Sequence, residues 1–169
     1  MSTSPRAEFI RRAIEAADRA RAEGAPIIPE IAAAQAALES RYGESRLAIE
    51  TNNLFGIKAG RRWQGPVLVL PTTEYVDGQP VPAVARWRKY ASWQECFRDY
   101  GNLIELLPWF ADAVAAARRG DTLGFLDGLL MIDLNNNQRI DEPGEEPGWS
   151  TTPDYRDRVL SLARRWNLI

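Results

Sequence analysis

The sequence predicts a mainly α domain (α+β), a helical body facing one small β-hairpin lobe. Three observations carry this. Apolar residues recur at helical spacing on both sides of the chain's middle, strand formers cluster only between Trp63 and Tyr90, and Pro or Gly punctuates the boundaries. The length of 169 residues suits one domain with one core, read as spanning 1–169.

Ser4-Pro5 is a helix start with Pro at the first helical position. Phe9, Ile10, Ala13, Ile14 and Ala17 follow on one face, and Gly24 ends the helix. Pro29-Glu30 opens a second, alanine-rich helix that ends near Gly43. Residues 45–62 read as irregular around the turn-prone Asn52-Asn53. Val67, Val69, Tyr75, Val84 and Trp87 are strand formers, and Asp77-Gly78 is a hairpin turn signal, so the β-lobe is set at about 63–90. Ser92-Trp93-Gln94-Glu95 is a capping box for a helix carrying Phe97, Tyr100, Leu103, Ile104 and Leu107, broken at Pro108. One helix then runs to Gly120 and a short one from Thr122 to about Leu130. A polar insertion covers about 133–148, and Thr152-Pro153 starts a last helix carrying Tyr155, Val159, Leu162 and Trp166. A helical body opposite a β-lobe makes a cleft, which suits a linear polymer.

Composition removes several chemistries. Hydrophobic content is 45% and charged content 26%, ordinary for a globular chain. With 21 basic and 23 acidic residues the net charge is −2, and no basic field points to nucleic acid. No apolar stretch is long enough to span a bilayer, and the N-terminus lacks the apolar segment of a signal peptide. No membrane partner is expected, and another agent would have to export the chain from the cytoplasm. The single Cys96 excludes an intrachain disulfide and reads as a small core residue. The absence of His excludes Ser-His-Asp and Cys-His catalysis and most zinc sites. Catalysis would rest on carboxylates, Tyr, Lys or Arg.

Glu39 ends the alanine helix in "AQAALESRYGES". The helix C-terminus is the negative end of the dipole, and the neighbours Ala36, Leu38 and Tyr42 are apolar or bulky. Both effects raise a carboxyl pKa, as a general acid requires. Glu74, in "TTEYVDG", is a carboxylate in a strand, where its type is depleted. Glycoside hydrolysis ordinarily sets two such carboxylates on opposite sides of a bond. On these grounds alone each also reads as a surface charge, and Glu44 and Glu50 compete.

The strings narrow this. "AQAALESRYGES", "NNLFGIKAG", "RWQGPVLVLPTTEYVDG", "FRDYGNLIELLPWFADAV" and "PGWSTTPDYRDRVLSL" occur in order over about residues 31–166. Together they resemble the glucosaminidase domain of glycoside hydrolase family 73 (mannosyl-glycoprotein endo-beta-N-acetylglucosaminidase-like), and within it the flagellar rod-type peptidoglycan hydrolases. The resemblance implies a lysozyme-like fold with a glycan-binding cleft and cleavage of the β-1,4 bond after N-acetylglucosamine in peptidoglycan. It places the general acid on Glu39, the second carboxylate on Glu74 and an active-site tyrosine on Tyr155. It places groove positions on Asn53, Phe55 and Trp63, and the aromatics Tyr75 and Trp149 offer further faces for sugar rings. Trp93 and Trp166 read as core.

The chain departs from the family's pattern in three places. Arg41-Tyr42 stands where Gly-Trp is usual, and Trp109-Phe110 replaces Arg-Tyr, where core packing is the safer reading. The third is the insertion "DLNNNQRIDEPGEE". Asp133, Asn135, Asn137, Arg139 and Asp141 fill positions one, three, five, seven and nine of an EF-hand-like calcium loop. Gln138 at the turn position and Gly144 at the closing position argue against it, with Glu142 or Glu145 as substitutes. A solvated loop held by Asx turns is the alternative. No cofactor is expected for catalysis, so calcium would be structural.

Two mechanisms stay open. In one, Glu39 protonates the leaving oxygen while Glu74 activates water. In the other, the 2-acetamido oxygen attacks and Glu74 or Tyr155 orients it. Carboxyl separation distinguishes retaining sites, at about 5–5.5 Å, from inverting ones, at about 6.5–9.5 Å. A muramidase-type lysozyme or a non-catalytic wall-binding component is the alternative function. The expected partner is the glycan strand, met by a monomer that acts as a phage lysin, a virion-associated lysin or a secreted effector. An effector would bring an immunity or inhibitor protein.

Overall fold

A helix with no polar face has to be buried on all sides, and the alanine helix is. The computed structural model describes residues 4–76, 79–130, 147–150, 152 and 154–169, with the backbone alone at 74–76. In it α2 spans Pro29–Ser40, and Ile31 to Ala37 are all buried. Two helices pack directly on it, α1 (Pro5–Ala22) and α7 (Tyr155–Arg165). Small alanine side chains permit that close approach. A further helix, α4 (Trp93–Leu106), packs on α1 and carries Phe97, Tyr100 and Ile104 into the same core. Beyond it α5 (Ala111–Arg119) packs against α6 (Thr122–Asp127).

Local signals explain the boundaries. Ser4 accepts from Ala7 N at 3.2 Å to start α1, and Ser92 accepts from Glu95 N at 3.2 Å to start α4. The reciprocal arm of the capping box is displaced by one residue: Glu95 accepts from Ala91 N at 2.9 Å rather than from Ser92. Gly120, at φ 76°, closes α5 in the left-handed conformation.

The β-lobe is the predicted hairpin. Strands β1 (Val67–Val76) and β2 (Gln79–Arg88) pair antiparallel, from Val67 opposite Arg88 to Val76 opposite Gln79. Val69, Pro71 and Thr73 are exposed, whereas Leu68, Leu70 and Thr72 are half-buried, so one face of the ribbon turns inward. The hairpin joins the helical body at its base. Tyr90 N donates to Thr51 O at 2.8 Å, Arg88 N to Ile57 O at 3.0 Å and Ala59 N to Arg86 O at 2.7 Å. Arg88 and Tyr90 both hydrogen-bond Asp99 of α4, at 2.7 and 2.6 Å.

Three boundaries differ from the sequence reading. The stretch read as irregular contains α3 (Arg46–Thr51), capped by Ser45, whose Oγ accepts from Ala48 N at 3.2 Å. It is too short to show a helical period. The helix after Asp121 ends at Asp127, and α7 begins at Tyr155 with Asp154 as N-cap, two residues beyond Pro153. Cys96 is buried in the core, where burial pushes its thiol up to about 12. Trp93 and Trp166 pack against the core: Trp93 lies 4.9 Å from Phe9, and Trp166 donates to the Tyr42 hydroxyl at 3.1 Å. No described helix is long and apolar enough to cross a membrane.

Candidate active site

Glu39 sits in the last turn of α2, at the point where that buried helix reaches a cleft. The turn after it is held tightly. Buried Ser40 donates to Ala36 O at 2.5 Å and accepts from Gly43 N at 2.8 Å. Arg41, Tyr42 and Gly43 are all left-handed, at φ 54°, 57° and 75°. Position 43 requires glycine twice over, because a Cβ there would also meet the Phe9 ring at 3.1 Å. These bonds fix where α2 stops and therefore where Glu39 stands.

The Glu39 side chain is exposed on its cleft side, yet the protein packed behind its carboxyl desolvates it. The enclosure governs its proton affinity, because dense protein on one side removes most of the solvent that would stabilise the charge. Its pKa is raised, chiefly by desolvation, and two groups on α7 oppose that rise: a hydrogen bond from the Tyr155 hydroxyl and the charge of Arg158. Tyr155 is 3% exposed, and burial together with the Glu39 charge pushes its own pKa far up, so it stays a neutral donor.

Behind this pair lies a buried polar chain. Gln35, one turn before Glu39 on α2, donates from Nε2 to the Tyr155 hydroxyl at 2.9 Å. The Tyr100 hydroxyl of α4 donates to Gln35 Oε1 at 2.7 Å. Both Gln35 and Tyr100 are 0% exposed.

The cleft encloses about 350 Å³ between Glu39, Phe55, Gly56, Leu103, Leu107, Trp109, Phe110 and Trp149, among others. Phe55 is buried, stacked on Tyr100 at 4.2 Å with planes 9° apart, so it offers the cleft an edge of the core. Trp149 is half-buried and meets Tyr100 edge-on at 4.6 Å. A larger concavity, about 640 Å³, lies between α2 and α7 around Arg41, Tyr42, Arg158 and Arg165. Glu39 does not line it, and volume without the raised carboxyl carries less chemistry.

The structure thus sets Glu39 near enough to Tyr155 for each to shift the other's proton affinity, and sets Phe55 and Trp149 in the same cleft as Glu39. It revises other expectations. Asn53 is 1% exposed, and its amide is consumed by backbone: Nδ2 donates to Ile57 O and Arg88 O at 2.9 and 3.0 Å, and Oδ1 accepts from Ile57 N at 2.9 Å. It braces the hairpin base instead of facing the groove. Trp63 is half-buried at that same base, 5.7 Å from Tyr90 and 4.7 Å from the Arg88 guanidinium, and does not line the cleft with Glu39. Trp109 and Phe110 do pack as core, Phe110 buried in it and Trp109 half-buried against it, and both also line the cleft.

Glu74 pairs with Val81 and Tyr75 with Pro80, and Glu74 holds the same register parity as Leu68, Leu70 and Thr72; their side chains lie outside the described residues. So do Asp133, Asn135, Asn137, Arg139 and Asp141. Among the described residues no group of three His, Cys, Asp or Glu could hold a metal ion. Gln35, Tyr100 and Trp109 escaped the sequence reading. The available signal for Gln35 was a lone amide four residues before Glu39 in an otherwise apolar helix.

Residues 14–168 match the family described as mannosyl-glycoprotein endo-beta-N-acetylglucosaminidase. Over 140 residues the chain is 41% identical to the peptidoglycan hydrolase FlgJ of Escherichia coli K12, covering 80% of this chain and 39% of that one. It is 32% identical over 140 residues to FlgJ of Vibrio parahaemolyticus, covering 81% of this chain and 40% of that one. The chain therefore spans about two fifths of the length of these curated relatives. Among solved structures, the C-terminally truncated glycoside hydrolase domain of Salmonella typhimurium FlgJ superposes with a TM-score of 0.68 at 26% identity, covering 97% of this chain and 99% of that one. With family, fold and a desolvated carboxyl in a cleft in agreement, the chain belongs to the glucosaminidase family of glycoside hydrolases.

Proposed function

We propose that this chain hydrolyses bacterial cell-wall glycan, cutting the β-1,4 bond after N-acetylglucosamine. The observation that carries the reading is Glu39, a carboxyl of raised proton affinity at an aromatic-lined cleft, held by a buried tyrosine. Glu39 donates its proton to the leaving oxygen, and the Tyr155 hydroxyl stabilises the carboxylate that this leaves behind. Glu74 acts from the β-lobe, either activating water or orienting the 2-acetamido group. Trp149 and Phe55 line the sugar path. The names of the relatives support a wall substrate, and their greater length leaves the whole protein's targeting open to further segments.

The rest of the proposal follows from the sequence. The chain acts as a monomer on peptidoglycan strands, with neither nucleic acid nor a membrane as partner. It reaches the wall by phage lysis, on a virion or through a secretion system, and in the last case an immunity protein is its partner. Calcium, if bound, is structural and sits in the 133–146 insertion. Digestion of purified peptidoglycan, borohydride reduction and mass spectrometry test the bond choice. The expected alditol is N-acetylglucosaminitol. Muramitol as the main product would make the enzyme a muramidase, and no new reducing end would leave a wall-binding component.

A further inference from the structure

Burying an amide in a helix of alanine and isoleucine is unfavourable unless both of its ends are bonded. Leu or Met would fill the same space at position 35 without that cost. The chain instead places Gln35 there, 0% exposed, and spends two tyrosine hydroxyls on satisfying it. No described buried side-chain nitrogen or oxygen lacks a partner. The network is therefore complete, and its direction can be read.

The direction follows from donor chemistry. Tyr100 is wholly buried and its hydroxyl proton goes to Gln35 Oε1, at 2.7 Å. That bond turns Oε1 toward α4 and Nε2 toward α7. An amide NH₂ only donates, so at 2.9 Å the Tyr155 oxygen must accept from it. The single proton of Tyr155 is then free for its other neighbour, Glu39. Reversing the amide would reverse the outcome: Tyr155 would donate to Oε1, and Glu39 would face a lone pair. Tyr100 is itself clamped between Phe55, stacked at 4.2 Å, and Trp149, edge-on at 4.6 Å, both on the cleft wall.

We propose that Tyr100 and Gln35 are positioning residues for glycan cleavage, which together fix the Gln35 amide so that Tyr155 donates its proton to Glu39. This rests on the reading of Glu39 as the general acid. The bond matters most as the proton leaves, because a donor aimed at the carboxylate stabilises charge that develops only in the transition state. Among the described residues, the titratable and charged groups bearing on Glu39 are Tyr155 and Arg158 of α7 and Tyr100 of α4.

The test uses Tyr100→Phe, which removes one hydroxyl and keeps the ring, and Gln35→Met, each alone and combined with Tyr155→Phe. Two readouts run in parallel: the alkaline limb of the kcat/KM profile on peptidoglycan, and the carboxyl ¹³C titration of Glu39 in the free protein, assigned with Glu39→Gln. Without the Tyr155 bond the carboxylate loses a stabilising donor, so the limb and the ¹³C midpoint both move to higher pH. Tyr100→Phe, which frees the Gln35 amide to turn its Oε1 to the Tyr155 proton, is expected to raise the midpoint and to lose about tenfold in kcat, a change of about 1.4 kcal/mol in barrier, with KM unchanged. Gln35→Met leaves no oxygen at position 35 to take that proton, so its midpoint is expected to stay near the wild-type value. Neither is expected to move the midpoint further in the Tyr155→Phe background. A Tyr100→Phe midpoint at the wild-type value, or a shift that adds to that of Tyr155→Phe, would overturn the proposal. The ¹³C titration needs no turnover, so a wild type that cleaves no wall polymer but shows the shift would refute the function and leave the relay standing.

Discussion

Gln35 Nε2 lies 2.9 Å from the Tyr155 hydroxyl oxygen, a bond between residues 120 apart in the chain. It joins the helix that carries the carboxyl to the helix that carries its donor. Glu39 and Tyr155 are therefore held by the core itself and need no loop to position them.

Glu39→Gln is expected to abolish hydrolysis, with a loss of at least about a hundredfold, because a general acid is ordinarily worth 10²–10⁴-fold. Turbidity loss on purified peptidoglycan checks it, and retention of more than about a tenth of the wild-type rate would refute the assignment. The same variant tests the pKa. The folded carboxyl holds its proton more tightly than the ordinary value of 4.5 implies. As pH rises from that value through the raised folded pKa, wild type loses the stability that the protonated form contributed. Glutamine cannot ionise, so the variant should melt above wild type at pH 7, and the gap should shrink as pH falls below 4.5. Melting curves across that range check the sign.

Asn53→Ala is expected to act on stability and not on substrate affinity. It leaves Ile57 N, Ile57 O and Arg88 O without their side-chain partner at the base of the hairpin. The cost should be about 2–4 kcal/mol, which lowers Tm by roughly 5–12 °C in a chain of this size. KM measured well below the melt should stay within about twofold of wild type. A large rise in KM with an unchanged melt would return Asn53 to the groove.

Trp109→Ala and Trp63→Ala should separate cleft from lobe base. Trp109 lines the cleft with Glu39 and is half-buried, so its loss should raise KM on soluble glycan strands about tenfold, near 1.4 kcal/mol of uniform binding. Trp63 packs on Tyr90 and Arg88 and donates to Pro66 O at 3.0 Å, so its loss should lower the melt and leave KM near wild type. Steady-state kinetics beside thermal melts distinguish the two, and the opposite pattern would reverse the assignments.

Calcium binding to the 133–146 insertion should raise Tm in millimolar calcium relative to excess EDTA, by mass action on the folded state. Asp133→Ala should remove the difference. Superimposable wild-type melts with no calorimetric heat on calcium addition would leave the insertion a plain polar loop.

The sequence by itself determined the helical body and the hairpin. Period, caps and turn residues are local signals, and Ser4, Ser92 and Gly120 carry them within a few residues of where they act; Asp77-Gly78, read as the hairpin turn, lies outside the described residues. A charge at the end of an apolar helix made Glu39 a candidate beside Glu44, Glu50 and Glu74, and the ordered family strings then singled out Glu39 and Tyr155. The resemblance set Asn53 and Trp63 in the groove, whereas they sit at the hairpin base, and residue type did not show that Trp109, packed on the core, also lines the cleft. An Asn can face a sugar or brace a backbone, and a Trp can floor a groove or seal a lobe. Only the approach of chain segments distant in sequence, such as 53 with 88 or 63 with 90, decides between those uses. The same holds for the relay. Tyr100, Gln35 and Tyr155 lie on three helices, and their hydrogen-bond direction exists only once packing has excluded water and left each amide end a single partner.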